Sequence, residues 1–447
     1  MSSLVGFMIL VLALQATPQI QLVQPQGPAA PPIVVTLQDA LERAKNNDVQ
    51  LQSAIADAQV AREDRFQART ALLPSVSNSS QYLGTQGNGT LPSGRFVSND
   101  GVHVYREWGI VHQEVTANTF LKTGVRRATA AEALANARVE IAQRGLVVTV
   151  TRSYYTLLTA QRHYATAQQA AQNAARFLQI SQQEEQAGQV AHSDVVKAQI
   201  QSEQQDQALQ DALLIMENAR LSLAVVIFPT LNENFTVIDD LDSPKPLPPF
   251  PDIQTMAERE NPDVRAASEA LRAATFDVEG ARNARYPNLV IDAIYGIEAN
   301  AFALRSKVAA APEVGPLPNP GYFITANLTI PIFDWGTLRS RVRQAQAREQ
   351  QARVQLSQTQ RQVMSNLYAY YNEATVARDA VDRLRRAADL SAESLRLITL
   401  RYQAGESSVL EVVDAQNTLT QTRNAYDDAQ NRYRVAIANL QTLSGIF

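Results

Sequence analysis

The chain says nearly the same thing twice, and that duplication restricts what it can fold into more than any single motif. Glu185-Gln-Ala-Gly188 followed by Ser193-Asp-Val-Val-Lys-Ala-Gln199 returns as Tyr402-Gln-Ala-Gly405 followed by Leu410-Glu-Val-Val-Asp-Ala-Gln416, an offset of 217 (405 − 188). Tyr154-Tyr155 recurs as Tyr370-Tyr371, and Glu42-Arg43 with Asp48-Val49 recurs as Glu258-Arg259 with Asp263-Val264. A period this long, present only twice, is not a solenoid array. It predicts two copies of one unit packed around a pseudo-symmetric object.

Within 447 residues, hydrophobic content is 45% but aromatic content only 6%, and Ala and Gln are abundant, which favours long helices over one large compact core. A net charge of −4 leaves no basic footprint, so nucleic acid is not an expected partner. The chain has no cysteine, which excludes a disulfide framework, thiolate metal sites and an acylated cysteine anchor. Leu4 to Leu14 is an apolar run too short to span a bilayer as a helix, and residues 1–16 read as a signal peptide ending near Ala16. No Lys or Arg precedes Arg43, so the cationic start usual for such a signal is missing. Residues 17–35, rich in Pro and Gln, read as a tether.

Repeat 1 spans 36–227, an inter-repeat linker rich in proline spans 228–252, and repeat 2 spans 253–447. Each repeat predicts the same order of helix, strand, loop, strand and long helical hairpin. In repeat 1 a helix runs from Thr36, with Asp39 in its first turn, to Leu73, and Pro74 stops it. Extended stretches follow to about Gly84 and from Val102 to about Leu121. In repeat 2 a helix from Ile253 is broken at Pro287, with strands from Asn288 to about Tyr295 and from Tyr322 to Phe333.

The last strand is the clearest. Tyr322, Ile324, Ala326, Leu328, Ile330 and Ile332 alternate with polar Thr325, Asn327 and Thr329. A half-buried strand of a soluble sandwich gives the same alternation. Membrane barrels add aromatic residues at the two interfaces, and Tyr82, Trp108, Tyr286, Tyr295, Tyr322, Phe333 and Trp335 are assigned to strand ends on this reading. Four strands are too few to close a transmembrane barrel, so a barrel requires several chains.

Helical arms are expected from Arg126 to Gln186 and from Leu338 to Gln403, the second with an apolar and small-residue seam spaced by threes and fours. Such an arm extends on the order of 100 Å. Gly188 and Gly405 punctuate hairpins, after which helices return to about Ile227 and Leu443.

With these features in order, the chain resembles the outer membrane efflux protein family, the TolC-like channels, from Thr36 to Phe447. The motifs that carry the resemblance are Ile330-Pro-Ile-Phe-Asp-Trp-Gly336, Pro74 and Pro287, Asn261-Pro262, and the glycine hairpins with Asp194-Val and Glu411-Val-Val-Asp414. The resemblance implies a mainly α protein with a membrane β-barrel: a homotrimer in which four strands per chain build a twelve-stranded barrel that continues into a helical tunnel of coiled-coil hairpins. It also implies a bacterial outer membrane location with contact to lipid, a periplasmic adaptor at the hairpin tips Gly188 and Gly405, and an inner membrane transporter as the energy source.

No enzyme site emerges. The chain has no phosphate loop and no His-Glu-x-x-His, and His103, His112, His163 and His192 show no metal spacing, so no cofactor is expected. Glu411 and Asp414 share one helix face and in a trimer would form carboxylate rings, which the resemblance places at a constriction with raised pKa values. Ser408 and Glu411 equally fit a capping box. Tyr402 and Asp194 match the family's closure contacts, whereas Ser407 stands where a basic residue is usual. Tyr402 also fits as the last seam residue. The expected function is the exit duct of a tripartite efflux pump or type I secretion system; the alternatives are a sealed envelope-spanning scaffold and a soluble periplasmic coiled-coil binding protein.

Overall fold

The computed structural model describes residues 32–84, 103–229, 234–243, 246–299, 307–308, 317–318 and 320–445. The expected signal peptide, most of the tether, the first inter-strand loop and most of the second lie outside them. In order, β1 (Ile33–Val35) falls at the end of the expected tether, and repeat 1 follows with α1 (Leu37–Asn47), α2 (Val49–Thr70), β2 (Ser75–Gly84), β3 (His103–Val115), α3 (Ala117–Phe120), α4 (Thr123–Gln186) and α5 (His192–Ile227). Then come β4 (Phe235–Val237), α6 (Phe250–Glu260), α7 (Pro262–Asn283), β5 (Asn288–Ala299), the short β6 (Lys307–Val308) and β7 (Leu317–Pro318), β8 (Pro320–Thr329), α8 (Thr337–Gln403) and α9 (Val409–Ser444).

Two expected boundaries move for identifiable reasons. The single helix expected from Thr36 to Leu73 is two helices, because Asp48 is extended (φ −72, ψ 118). Asn261 holds the equivalent position in repeat 2 with nearly the same backbone (φ −70, ψ 122), and there Pro262 forbids the α region to its predecessor. Repeat 1 makes the same break without proline, and the Asn47 Nδ2 is instead spent on the carbonyl of Ile227 at 2.9 Å. The second shift is at the strand ends. β3 stops at Val115 because Thr116 caps α3, its hydroxyl accepting the N–H of Thr119. β8 stops at Thr329, two residues before Pro331, which has no N–H for a ladder.

The chain divides into two compact units, each built from parts of both repeats. Unit 1 comprises residues 1–48, 146–247 and 373–438; unit 2 comprises 49–145, 248–372 and 439–447. The sequence duplication is therefore not a division into two folded bodies.

In unit 2 the strands form one antiparallel sheet in the order β2-β3-β5-β8. Register places Leu289, Ile291, Ala293 and Tyr295 opposite Leu328, Ala326, Ile324 and Tyr322 on one face. The other face carries Asp292 opposite Thr325 and Val290 opposite Asn327. Trp108 differs from its expected place at a strand end. It sits mid-strand on the second face, opposite Ser79 and Gly296, with the Arg106 guanidinium 5.3 Å from its ring and Phe323 edge-on at 6.3 Å. An added Cβ at Gly296 would lie 2.0 Å from the Glu107 carbonyl oxygen, so glycine is required for β3 and β5 to approach there.

In unit 1, β1 and β4 pair in parallel, with Val35 opposite Val237. Tyr154 locks them, its hydroxyl donating to the Ile238 carbonyl at 2.8 Å and accepting the Ile238 N–H at 3.1 Å. Tyr155 donates to Asp240 at 3.1 Å. The adjoining segment is clasped by Arg162, which reaches Asp239 at 2.6 Å, Asp242 at 2.8 Å and Asp427 of α9 at 3.2 Å. Arg434 closes the other side on the Ser243 carbonyl at 2.8 Å.

Arg162→Met leaves the buried Asp427 carboxylate without its cation. The expected loss is about 2–3 kcal/mol, read from thermal unfolding. Asp242 adds a sign-specific check. Bonds from Arg162 first, then Gln430, hold its carboxyl below the usual aspartate value. That contribution is therefore present above pH ~4 and lost as pH falls through the folded value. Asp242→Asn should destabilise at pH 7 and approach wild type in strong acid.

Candidate functional site

The candidate site is the pair of helical hairpins in unit 1, where the sequence placed every gate and tip residue. Both turns use the same cap. Gly188 (φ 72) donates to the Glu185 carbonyl and Gln189 to that of Glu184; Gly405 (φ 75) donates to Tyr402 and Glu406 to Arg401. These paired bonds close the last turns of α4 and α8 through a left-handed residue, which glycine adopts without a Cβ clash. No atom lies within 4 Å of a Cβ built on either glycine, so both tips are open.

The starts of the return helices differ. Ala191 at the head of α5 offers no side-chain cap. At the head of α9, the Glu411 N–H donates to the Ser408 hydroxyl at 3.4 Å, while Ser408 and Ser407 donate to the two Glu411 carboxylate oxygens at 3.2 and 2.8 Å. Glu411 thus completes the capping box, and Ser407, where a basic residue was expected, becomes its hydrogen-bond donor. The Ser407 bond leads in holding the Glu411 carboxyl of the single chain below the usual glutamate value. Asp414, one turn on, is exposed. Both acids line an open groove of about 460 Å³ with Leu390, Ser391, Ser394, Ile398, Ala415 and Thr418.

Tyr402 is 5% exposed and packs in a cluster with Phe177, Ala198, Val409 and Val412. Its ring meets that of Phe177 at 5.0 Å, and its hydroxyl shares a 3.3 Å bond with the Ser181 hydroxyl. Burial, opposed by the Ser181 bond and reinforced by a bond to Glu184, pushes the phenol up to about 12. The seam reading and the closure reading of Tyr402 therefore meet in one residue, whose polar partners belong to α4 of the same chain. Asp194 is near enough to add a smaller upward push, but its carboxylate is engaged by Lys197 at 3.1 Å. Sequence reasoning missed Phe177, Ser181 and Glu184, although their spacing of four and three puts them on one face of α4.

Of the interface aromatics, Tyr82, Tyr295, Tyr322, Phe333 and Trp335 are exposed, and Phe333 stacks edge-on against Trp335 at 4.8 Å. Three of the histidines have separate partners: His112 meets Asp292, His163 the Asn424 carbonyl and His192 Glu185. Among the described residues no group of three or more His, Asp or Glu is arranged to hold a metal ion.

A four-stranded sheet whose β5 and β8 pair apolar residues on one face and whose outer strands are β2 and β8, in a chain that also carries long glycine-capped helical hairpins, fits the class of membrane channels that combine a β-barrel with coiled-coil helices. The chain belongs to the outer membrane efflux protein family, whose model matches residues 40–227 and 254–446, two stretches that run parallel to the repeats. It is 29% identical to the pyoverdine export outer membrane protein OpmQ of Pseudomonas putida over 41% of this chain and 37% of that one. It is 23% identical to the outer membrane protein TolC of Vibrio cholerae over 92% of this chain and 90% of that one. Among solved structures, the CmeC outer membrane channel of Campylobacter jejuni superposes with a TM-score of 0.78 at 18% identity, covering 92% of this chain and 85% of that one, which shows the fold. The chain spans little more than a third of OpmQ but nearly all of TolC.

Gly188→Ala and Gly405→Ala force a Cβ into the left-handed region and should each cost about 1–2 kcal/mol. Hydrogen exchange at the two tips measures it. Tyr402→Phe should cost about 1 kcal/mol in thermal unfolding through the lost Ser181 bond. An ultraviolet absorbance titration of the wild type should show one phenol titrating near pH 12 that this variant lacks.

Proposed function

We propose that this chain is the exit duct of a tripartite efflux pump or type I secretion system, working as a homotrimer without chemistry of its own. The observation that carries the reading is the sheet order β2-β3-β5-β8, which leaves the outer edges of β2 and β8 without a partner strand among the described residues. An apolar-faced sheet cannot leave backbone N–H and C=O groups open to lipid, so its edges must find partners. Three copies related by a threefold axis, each joining β2 to β8 of the next, give a closed barrel of twelve strands.

The hairpin tips at Gly188 and Gly405 are the surface for a periplasmic adaptor, and an inner membrane transporter supplies the energy. Glu411 and Asp414 line the constriction. Three Glu411 carboxylates, each already bonded by Ser407 and Ser408, remain ionised at neutral pH and favour cations over anions in the closed state. Tyr402 holds α8 to α4 inside each protomer, with Asp194 at the head of α5, so opening moves the two hairpins of a protomer together as one packed body. Names of relatives extend to export of pyoverdine and to cobalt, zinc and cadmium resistance, so the duct fold itself does not set the cargo.

Single-channel conductance of the purified protein in planar bilayers tests this. Wild type should conduct weakly, and Glu411→Ala/Asp414→Ala should conduct several-fold more with reduced cation preference. Insertion without conductance in either form would leave the sealed scaffold as the better account. Equal robust conductance would keep the duct and move the constriction elsewhere.

A further inference from the structure

Both repeats leave the sheet through the same unusual backbone step. After β3, Lys122 takes φ 53 before α4; after β8, Trp335 takes φ 55 and Gly336 φ 87 before α8. Non-glycine residues are uncommon in this left-handed region, and here each repeat places one at the strand-to-helix switch. The apolar side chains around the two switches are turned outward. Phe120 is 82% exposed, Ile332 92% and Trp335 90%, and Leu73 and Tyr286, just before β2 and β5, are exposed as well. In the chain they flank strands of the sheet whose β5 and β8 pair apolar residues on one face.

A second layer follows at once. Lys122, Arg282, Arg285, Arg341 and Arg343 are exposed and, among the described residues, make no ion pair. The acids close by are already used: Asp277 by Arg127 at 2.5 Å, Glu279 by Arg126 at 3.1 Å, and Asp334 by the N–H groups of Gly336 and Leu338. The layer is held together across the repeats. Buried Asn283 at the end of α7 donates to Asn118 at 3.0 Å and to Thr123 at 3.2 Å, pinning the segment with Arg282 and Arg285 to the one with Lys122.

An outward apolar and aromatic belt followed directly by uncompensated cations matches the depth profile of a lipid monolayer, acyl chains and carbonyls first and phosphates next. We propose that this collar binds the phosphate headgroups of anionic phospholipid in the periplasmic leaflet of the outer membrane. Trp335 and Ile332 enter the acyl region, while the arginines, whose planar forks suit phosphate oxygens, take the headgroups. The inference rests on the outer membrane reading and adds to it a lipid preference fixed by named residues. Two facts favour lipid over a second copy of the chain: the belt residues directly flank strands of the sheet whose β5 and β8 pair apolar residues on one face, and the excess charge is of one sign, which a copy of the same collar would repel.

The chain contains two tryptophans, so Trp108→Phe leaves Trp335 as the only indole reporter. The full-length protein is reconstituted in vesicles of phosphatidylethanolamine doped with brominated phosphatidylglycerol or brominated phosphatidylcholine, and quenching of Trp335 is followed against mole fraction. The expected result is half-quenching at about a tenfold lower fraction of phosphatidylglycerol, a preference that collapses in high salt and in Arg282→Gln/Arg285→Gln and Lys122→Gln backgrounds. Equal quenching by the two lipids overturns the proposal, leaving a belt without headgroup recognition. So does a preference unchanged by the glutamine substitutions. Absence of quenching by either lipid would place Trp335 away from lipid, against another chain, and also overturns it. Conductance of the same wild-type vesicles keeps the two readings apart, since a lost conductance sinks the duct while the quenching ratio still decides the collar.

Discussion

The rest of this structure depends on the backbone polar groups at the edges of a four-stranded sheet. A sheet in water can leave an edge to solvent, but one that presents Leu289, Ile291, Ile324 and Leu328 to lipid cannot. In the duct proposed above, closure comes from neighbouring copies, since β2 and β8 stand at opposite ends of the strand order among the described residues. β3 and β8 each exit towards a long helix through a sharp left-handed step, at Lys122 and at Trp335. The polypeptide must change from extended to helical within a few residues, with Thr116 in one repeat and Asp334 in the other capturing the freed N–H groups.

Duplication supplied the backbone plan and left the side chains free to diverge. Asp48 and Asn261 make the same extended break, one without proline and one with it. Lys122 and Trp335 occupy the same rare conformation with side chains of opposite character. Tyr154 and Tyr155 are buried and lock β1, β4 and Asp240, whereas Tyr371 packs against Phe250 in unit 2 and Tyr370 is only partly buried. The two hairpins share their glycine caps, yet only the second has a serine and glutamate box at its return helix. That asymmetry puts the acids of the candidate constriction on α9 alone.

Much of this was legible in the chain itself. The offset of the repeats, the prolines at 74 and 287, the alternation of β8 and the glycines at 188 and 405 each record a local rule of backbone geometry, and the elements appear where those rules put them. What the sequence could not show involves partners far apart in the chain. Arg162 reaches residues 77 and 265 positions away, and Tyr402 finds Ser181 at a separation of 221. Trp108 was placed wrongly at a strand end because an aromatic residue in an uncertain strand carries no mark of its register, and only pairing with β2 and β5 fixed its face. Local pattern determined the long helices, the four long strands and their order, since turns, caps and periodicities act within a few residues, while the break at Asp48 and the ends of β3 and β8 were set by caps and a proline that the periodicity does not mark. The tertiary structure decided which side chains meet and which charges remain uncompensated, because those outcomes depend on packing between segments that sequence proximity does not connect.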